Sequence, residues 1–395
     1  MKRNAAAPVN KVSLVTLAGN WSYPTAVRFG AGRISELADA CESAGISRPL
    51  LVTDRGLRAL EITETAMAVL SDAGLPVTLF SDVDPNPTEV HLAAGIAAYK
   101  AGGHDGVIAF GGGSALDLGK LVAFMAGQTR PIWDFEDVGD WWTRADAAAI
   151  APIVAVPTTA GTGSEVGRAG VLTNAKTHQK KIIYHPKILP GVVISDPELT
   201  LGLPKQVTVG TGMDALAHCL EAYCSPHYHP MSQGIALEGM RLVREWLPVA
   251  YTDPRALDAR SHMMAAAAMG AVAFQKGLGA MHALAHPIGA IFDTPHGMTN
   301  AILMPYVLDM NRPKIEARIT AAADYLGIEG GFDGFMDFIH LLRAGLSVPH
   351  RLSALGVTAD RMEDIIAGAL ADPSAAGNPI PLTAPGLRDL LIRAI

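Results

Sequence analysis

The chain has 395 residues, more than one hydrophobic core usually organises, so two domains are expected. Apolar types make up 49% and charged types 17%, and 31 basic against 38 acidic side chains leave a net charge of −7 with no long run of either sign. That balance excludes a disordered chain and argues against nucleic acid or an anionic membrane as partner, while three cysteines, Cys41, Cys219 and Cys224, exclude a disulfide framework and suit a reducing, cytoplasmic setting.

Residues 1–20 carry Lys2 and Arg3 but break their apolar run at Asn10 and Lys11, so no signal-peptide core forms. Short β-branched runs at 49–53, 77–80, 106–110, 153–156 and 192–194 alternate with helical patterns, which predicts a Rossmann-like α/β domain with a parallel sheet covered by helices. Beyond about residue 200 the texture becomes long Ala-, Leu- and Met-rich segments broken by Pro and Gly, the pattern of an all-α domain. Its longest apolar stretch, residues 263–274, is short of the roughly 20 residues a membrane helix needs and reads as a buried helix. The turn-rich segment 196–204 marks the join, giving a dinucleotide-binding domain over residues 1–200 and a metal-binding and substrate domain over residues 201–395.

Two glycine-rich segments compete for a phosphate. Gly30 and Gly32 follow a strand, and Asp54 closes the next one where an acid would meet a ribose hydroxyl, but the third glycine position is Ser35. Gly111, Gly112, Gly113 and Ser114 follow the run ending at Phe110 and open a helix, so bare amides and the helix dipole can hold a pyrophosphate with no basic side chain. A third segment, from Pro157 through Thr158, Thr159 and Thr162 to Glu165, adds hydroxyls at the same sheet edge; taken alone it reads as a capped loop.

The second half holds the metal-binding chemistry. Asp214 and His218 are four apart, as are His282 and His286, so each pair shares a helical face, and His296 follows the turn at Thr294 and Pro295. Three imidazoles with one carboxylate suit a borderline divalent ion such as zinc or ferrous iron, and no paired-cysteine cage offers a structural site. Spacing alone does not choose His296 over His286. Cys219 and Cys224 point to different faces and read as core packing.

In order along the chain, Asn86-Pro87-Thr88, residues 111–120, 157–165 and 212–218, and the fourteen-residue step from His282 to His296 together resemble the iron-dependent, or group III, alcohol dehydrogenases, from Phe29 through at least Pro305. The resemblance implies an NAD-dependent oxidoreductase with a dehydroquinate synthase-like two-domain plan, acting on short primary alcohols and aldehydes as a homo-oligomer. It implies metal ligation by Asp214, His218, His282 and His296, with His286 unligated as a proton relay. It places the cofactor on Gly112, Gly113 and Ser114, with Asn86, Thr158, Thr159, Thr162 and Lys180 lining the cleft and Asp54 at the adenosine ribose. A carboxylate at Asp54 repels a 2′-phosphate, so NAD is expected over NADP. Iron is the ion the family favours, and zinc fits the same donors.

The sequence departs from the family pattern at the pocket. Lys276 stands in a segment where an Asn-containing version is frequent, and Arg168 replaces part of a more polar stretch; the two read as solvated surface cations or helix-end charges, or together as a carboxylate site that would make a short ω-hydroxy acid the substrate. A sugar-phosphate cyclase of the dehydroquinate synthase type shares the plan and is the alternative function, although it needs basic residues for a substrate phosphate. A metal-free reductase or a non-enzymatic sensor is disfavoured because all four ligand positions are filled. The tryptophan-rich segment 133–142 with Arg144 reads equally as a surface loop, a subunit contact or a lid.

Overall fold

The computed structural model describes residues 25–177 and 179–395. The signal-peptide reading falls on residues outside that range.

Six strands form one all-parallel sheet: β1 (Ala26–Phe29), β2 (Pro49–Val52), β3 (Thr78–Phe80), β4 (Gly106–Gly111), β5 (Ile153–Pro157) and, after a separate hairpin of two strands, β8 (Val192–Ser195), in the order β1-β8-β5-β4-β2-β3. The two-residue period of each strand divides the core. Leu50, Val52, Val107 and Ala109 pack on one face with α3 (Glu89–Ala101) and α4 (Gly113–Met125), while Leu51, Ile108, Phe110 and Val154 pack on the other with α1 (Leu37–Ser43) and α2 (Glu61–Asp72). The chain runs outward from β2 to β3 and then returns past β2 to β4. This reversal opens a crevice between the carboxyl ends of β2 and β4, where parallel sheets bind ligands.

The antiparallel hairpin β6 (Ala169–Asn174) and β7 (Gln179–Tyr184) was not anticipated from the pattern, because Gln179, Lys180 and Lys181 interrupt any apolar alternation. The tryptophan-rich segment docks on it. The Asp137 amide donates to the Ile182 carbonyl at 2.8 Å, and Trp142 lies edge-on to Tyr184 and His185.

From Lys205 onward the elements are helices: α5 (Lys205–Cys224), α6 (Pro230–Thr252), α7 (Leu257–Ala273), α8 (Ala280–Phe292), α9 (His296–Leu326), α10 (Gly331–Gly345), α11 (Met362–Ala371) and α12 (Ala384–Ala394). The 263–274 stretch falls on α7, and no helix among the described residues is long and apolar enough to cross a membrane. Cys41, Cys219 and Cys224 are buried and free, with burial pushing each thiol up to about 12, so they pack as small hydrophobes.

The turn at Gly30 and Gly32 is already occupied. The buried carboxylate of Asp196 accepts the amides of Gly32 and Ile34 at 3.2 and 2.9 Å and that of Glu198 at 3.0 Å, tying the first turn to the segment after β8. Asp196→Ala strands these donors, at about 1–3 kcal/mol for each that water does not reach. A fall of roughly 2 kcal/mol or more in urea-measured stability is expected.

Candidate metal centre and cofactor cleft

Three helices converge on one point. Asp214 and His218 project from one face of α5, His282 from the first turn of α8, and His296 opens α9 directly after Pro295. Asp214, His218 and His282 are buried, and one donor atom of each lies within 4.8 Å of the others. The Asp214 Oδ1 is 3.7 Å from His282 Nε2 and 3.6 Å from His296 Nε2. Donors about 2.1 Å from a tetrahedral ion stand about 3.4 Å apart, so these separations are within a few tenths of an ångström of a loaded site.

Residues that the sequence reading missed hold these donors in place. Glu221, one turn beyond His218 on α5, takes hydrogen bonds at 2.6 Å from both His282 Nδ1 and the Met281 amide. It therefore fixes the His282 tautomer with Nε2 facing Asp214 and also caps the start of α8, where Gly279 offers no side chain. Asn300, one turn after His296, donates from Nδ2 to Asp214 Oδ1 at 2.8 Å and lies within 3.3 Å of the Nε2 atoms of His282 and His296. Among the described residues the Nδ1 atom of His296 is buried with no hydrogen-bond partner.

The protonation pattern is that of a cluster short of positive charge. Burial pushes the Asp214 carboxyl up, but the imidazoles of His218, His296 and His282 outweigh it and hold it far below the usual carboxylate range. Burial depresses His218 to about 4 and drives His296 well below its ordinary value. His282, against its own burial, is raised to about 9 by Asp214 and Glu221. A buried carboxylate with two imidazoles held neutral, and a third that takes a proton for want of a cation, fits a divalent ion at the point they share.

His286 is not brought into this donor set. Its Nδ1 is 2.7 Å from Asp372 Oδ2, and its ring stacks at 5.4 Å on that of His296, so it flanks the cluster. Burial alone would raise Asp372, yet the His286 imidazole and bonds from Ser374 hold it below the carboxylate range. His286 and Lys180 face a cleft of about 470 Å³. Burial lowers the Lys180 pKa, against the carboxylates of Asp117, Asp293 and Asp214.

On the sheet side, α4 starts at Gly113 without a capping side chain, which leaves its amides for a ligand. A Cβ on Gly113 would lie 2.7 Å from Thr162 Cγ2, and one on Gly112 would lie 3.3 Å from Thr159 Cγ2, so only glycine leaves room over these threonines. Thr158 is buried with its amide on the Gly111 carbonyl, and Asp54 reaches the same loop from β2. Asn86 donates to Asp293 at 2.8 Å, joining the loop after β3 to the end of α8.

One expectation fails. Lys276 is only 2% exposed, and its Nζ donates to the carbonyls of Ala222, Tyr223 and Ser225 at 2.7–3.0 Å. All three ammonium protons are spent closing the end of α5, so Lys276 cannot receive a substrate carboxylate. Burial pulls its pKa down to about 7, while three acceptor-only carbonyls favour the charged form. Arg168 is half-buried on a second cavity of about 330 Å³, which shares Asp137, Ile182 and Pro373 with the first. Phe274 lines this second cavity and packs on His218 with ring centroids 5.1 Å apart.

The family model described as iron-containing alcohol dehydrogenase matches residues 24–197, and that of the Fe-containing alcohol dehydrogenase family, C-terminal, matches residues 208–395. The chain belongs to the iron-containing alcohol dehydrogenase family. It is 38% identical over 384 residues to a 4-hydroxybutyrate dehydrogenase of Cupriavidus necator, covering 93% of this chain and 98% of that one. The crystal structure of a 1,3-propanediol oxidoreductase superposes with a TM-score of 0.90 at 32% identity, covering 95% and 99% of the two chains. A sulfoacetaldehyde reductase from Bifidobacterium kashiwanohense, solved with NAD+, superposes with a TM-score of 0.85 at 29% identity, covering 95% and 98%. The protein is therefore an enzyme of the NAD-dependent alcohol dehydrogenase type, and the sugar-phosphate cyclase reading is not favoured.

If Lys276 serves the fold, Lys276→Met should cost about 2–4 kcal/mol in denaturant unfolding, because the α5 carbonyls lose a charged donor. It should leave the ratio of KM values for charged and uncharged alcohols unchanged.

Proposed function

We propose that the protein transfers hydride between NAD(H) and a short-chain primary alcohol or aldehyde at a divalent ion held by Asp214, His218, His282 and His296. The supporting observation is the convergence of these four donors from three helices, backed by the carboxylate of Glu221. Iron is the ion we assign from the family, and zinc would be accepted by the same donors.

The dinucleotide would lay its pyrophosphate on Gly112, Gly113 and Ser114, between the threonines Thr158, Thr159 and Thr162 and the end of β2. There Asp54 selects NAD by disfavouring a 2′-phosphate. Lys180 and Asn86 stand on the helical side of the cleft.

Bound there, the ion would supply a Lewis acid for the alcohol oxygen and the dinucleotide a two-electron hydride acceptor, so that oxidation of the alcohol to the aldehyde would balance as one hydride to NAD and one proton to a protein base. His286 is placed to take the hydroxyl proton into the cleft, with Asp372 holding Nδ1–H so that Nε2 is the free base. Read in reverse, the same groups reduce an aldehyde. We place the enzyme in the cytoplasm, in keeping with three buried free cysteines, and as a homo-oligomer by family resemblance.

The test is NADH formation across a panel of short alcohols and hydroxy acids, repeated after chelation and after return of Fe2+ or Zn2+. Turnover should vanish on chelation and return with metal; turnover that survives complete metal removal would sink the reading. The roles of the two flanking histidines separate in the same assay. His296→Ala should lose bound metal, whereas His286→Ala should retain its metal while kcat falls about 100-fold or more.

A further inference from the structure

The cavity beside Phe274 is walled mainly by apolar groups, Val166, Leu189, Val272 and Leu278 among them, and Arg168 is the only basic side chain on its lining. Arg168 donates one hydrogen bond, from Nη1 to the Tyr184 hydroxyl at 3.3 Å, and its guanidinium lies over the Tyr184 ring at 5.5 Å. These contacts set the guanidinium against the ring. Among the described residues Arg168 has no ion pair, and Asp137, the one carboxylate on the lining, stands beyond pairing distance. A half-buried guanidinium with most of its five donors free, fixed against an aromatic ring in an apolar cleft, is built to take a planar anion in a two-point contact. Phe274 on the cavity wall packs against His218 with ring centroids 5.1 Å apart, so one aromatic ring stands between the cavity and the donor cluster.

We propose that Arg168 is the specificity-determining residue for a carboxylate at the far end of the substrate. The substrate class is then a short ω-hydroxycarboxylate and its semialdehyde, held with the carboxylate on Arg168 and the carbinol end past Phe274 at the metal centre. This rests on the hydride-transfer reading and adds the group that chooses among alcohols. Lys276, fully engaged with α5, plays no part in it.

The experiment compares kcat/KM of the metal-loaded enzyme for 4-hydroxybutyrate and 1-butanol, which share a carbon chain and differ in the terminal anion. The wild type should prefer 4-hydroxybutyrate by about 100-fold, and Arg168→Met should collapse that ratio, chiefly through the KM for 4-hydroxybutyrate. Arg168→Lys should recover part of it, as a cation without the fork. In the wild type, the KM for 4-hydroxybutyrate should rise with salt while that for 1-butanol stays level, a readout that does not depend on the variants folding. A wild type indifferent to the carboxylate, or a ratio that survives in Arg168→Met, overturns the assignment of Arg168 but leaves hydride transfer standing. Absence of NADH from every alcohol tested would instead remove the hydride-transfer reading on which it rests.

Discussion

The structure depends on two buried carboxylates two turns apart on one face of α5. Asp214 and Glu221 sit on α5 away from water, and no Lys or Arg pairs with either among the described residues. Burying two unpaired carboxylates costs several kcal/mol each, a penalty that imidazoles alone relieve only by gaining protons. The raised pKa of His282 is that tendency at work. A dication cancels both charges at once and lets every imidazole be neutral, so the cluster's electrostatics and its geometry ask for the same guest. The division of labour on α5 follows. Asp214 faces the ion's position, and Glu221 stands behind His282 and fixes which nitrogen looks forward.

The same cluster explains how the two halves are held in register. The segment from Pro157 to Glu165 leaves the sheet and presses onto the helices. Gly163, at φ +61°, leaves no space for a Cβ against Ala267 and Ala271 of α7, and Gly161 abuts Thr211 on α5. Inside the loop, Glu165 is buried beside Lys120 of α4, where burial raises the carboxyl to about 7 although Lys120 opposes the rise. Lys120 in turn is held by the Ser164 and Ala169 carbonyls. The residues proposed to hold the cofactor's phosphates and those that hold His218 are thus joined by one short, tightly packed loop. A shift at either end would be felt at the other, which suits chemistry that needs sub-ångström placement.

What was legible in the sequence was what local pattern encodes. Alternating apolar runs predict strands buried on both faces, and the four-residue spacings of Asp214 with His218 and of His282 with His286 fall on helix faces. What was hidden required knowing which distant residue arrives. Gly30 and Gly32 look like an anion site until Asp196, more than 160 positions away, takes the amides of Gly32 and Ile34, and the Ser195 carbonyl takes that of Gly30. Lys276 looks like a solvent-facing cation because charge alone does not report burial, and only the carbonyls of Ala222, Tyr223 and Ser225 show otherwise. Asp372 meets His286 across 86 residues, with no local signal. Glu221 and Asn300 were within reach, since each lies one helical turn from a donor histidine, on the face already identified as the site.

The pocket follows a different logic from the cluster. On the proposed reading, the cluster would treat every primary alcohol alike, because it would act on the one oxygen they share, and discrimination would fall to the cavity's far wall. Apolar walls discriminate weakly, by about 1–3 kcal/mol per methylene, and cannot strongly reject an uncharged alcohol that fits. A free guanidinium differs in kind. Burying it against a neutral chain leaves it without a partner, while a carboxylate satisfies it, so the penalty on the wrong substrate adds to the gain on the right one. The proposed role of Arg168 draws on this, since Tyr184 contacts its guanidinium without neutralising it. The β6–β7 hairpin, the element the sequence pattern concealed, carries both Tyr184, which contacts Arg168 at one cavity, and Lys180, which lines the other. One small antiparallel unit laid against a parallel sheet thus contributes side chains to both cavities.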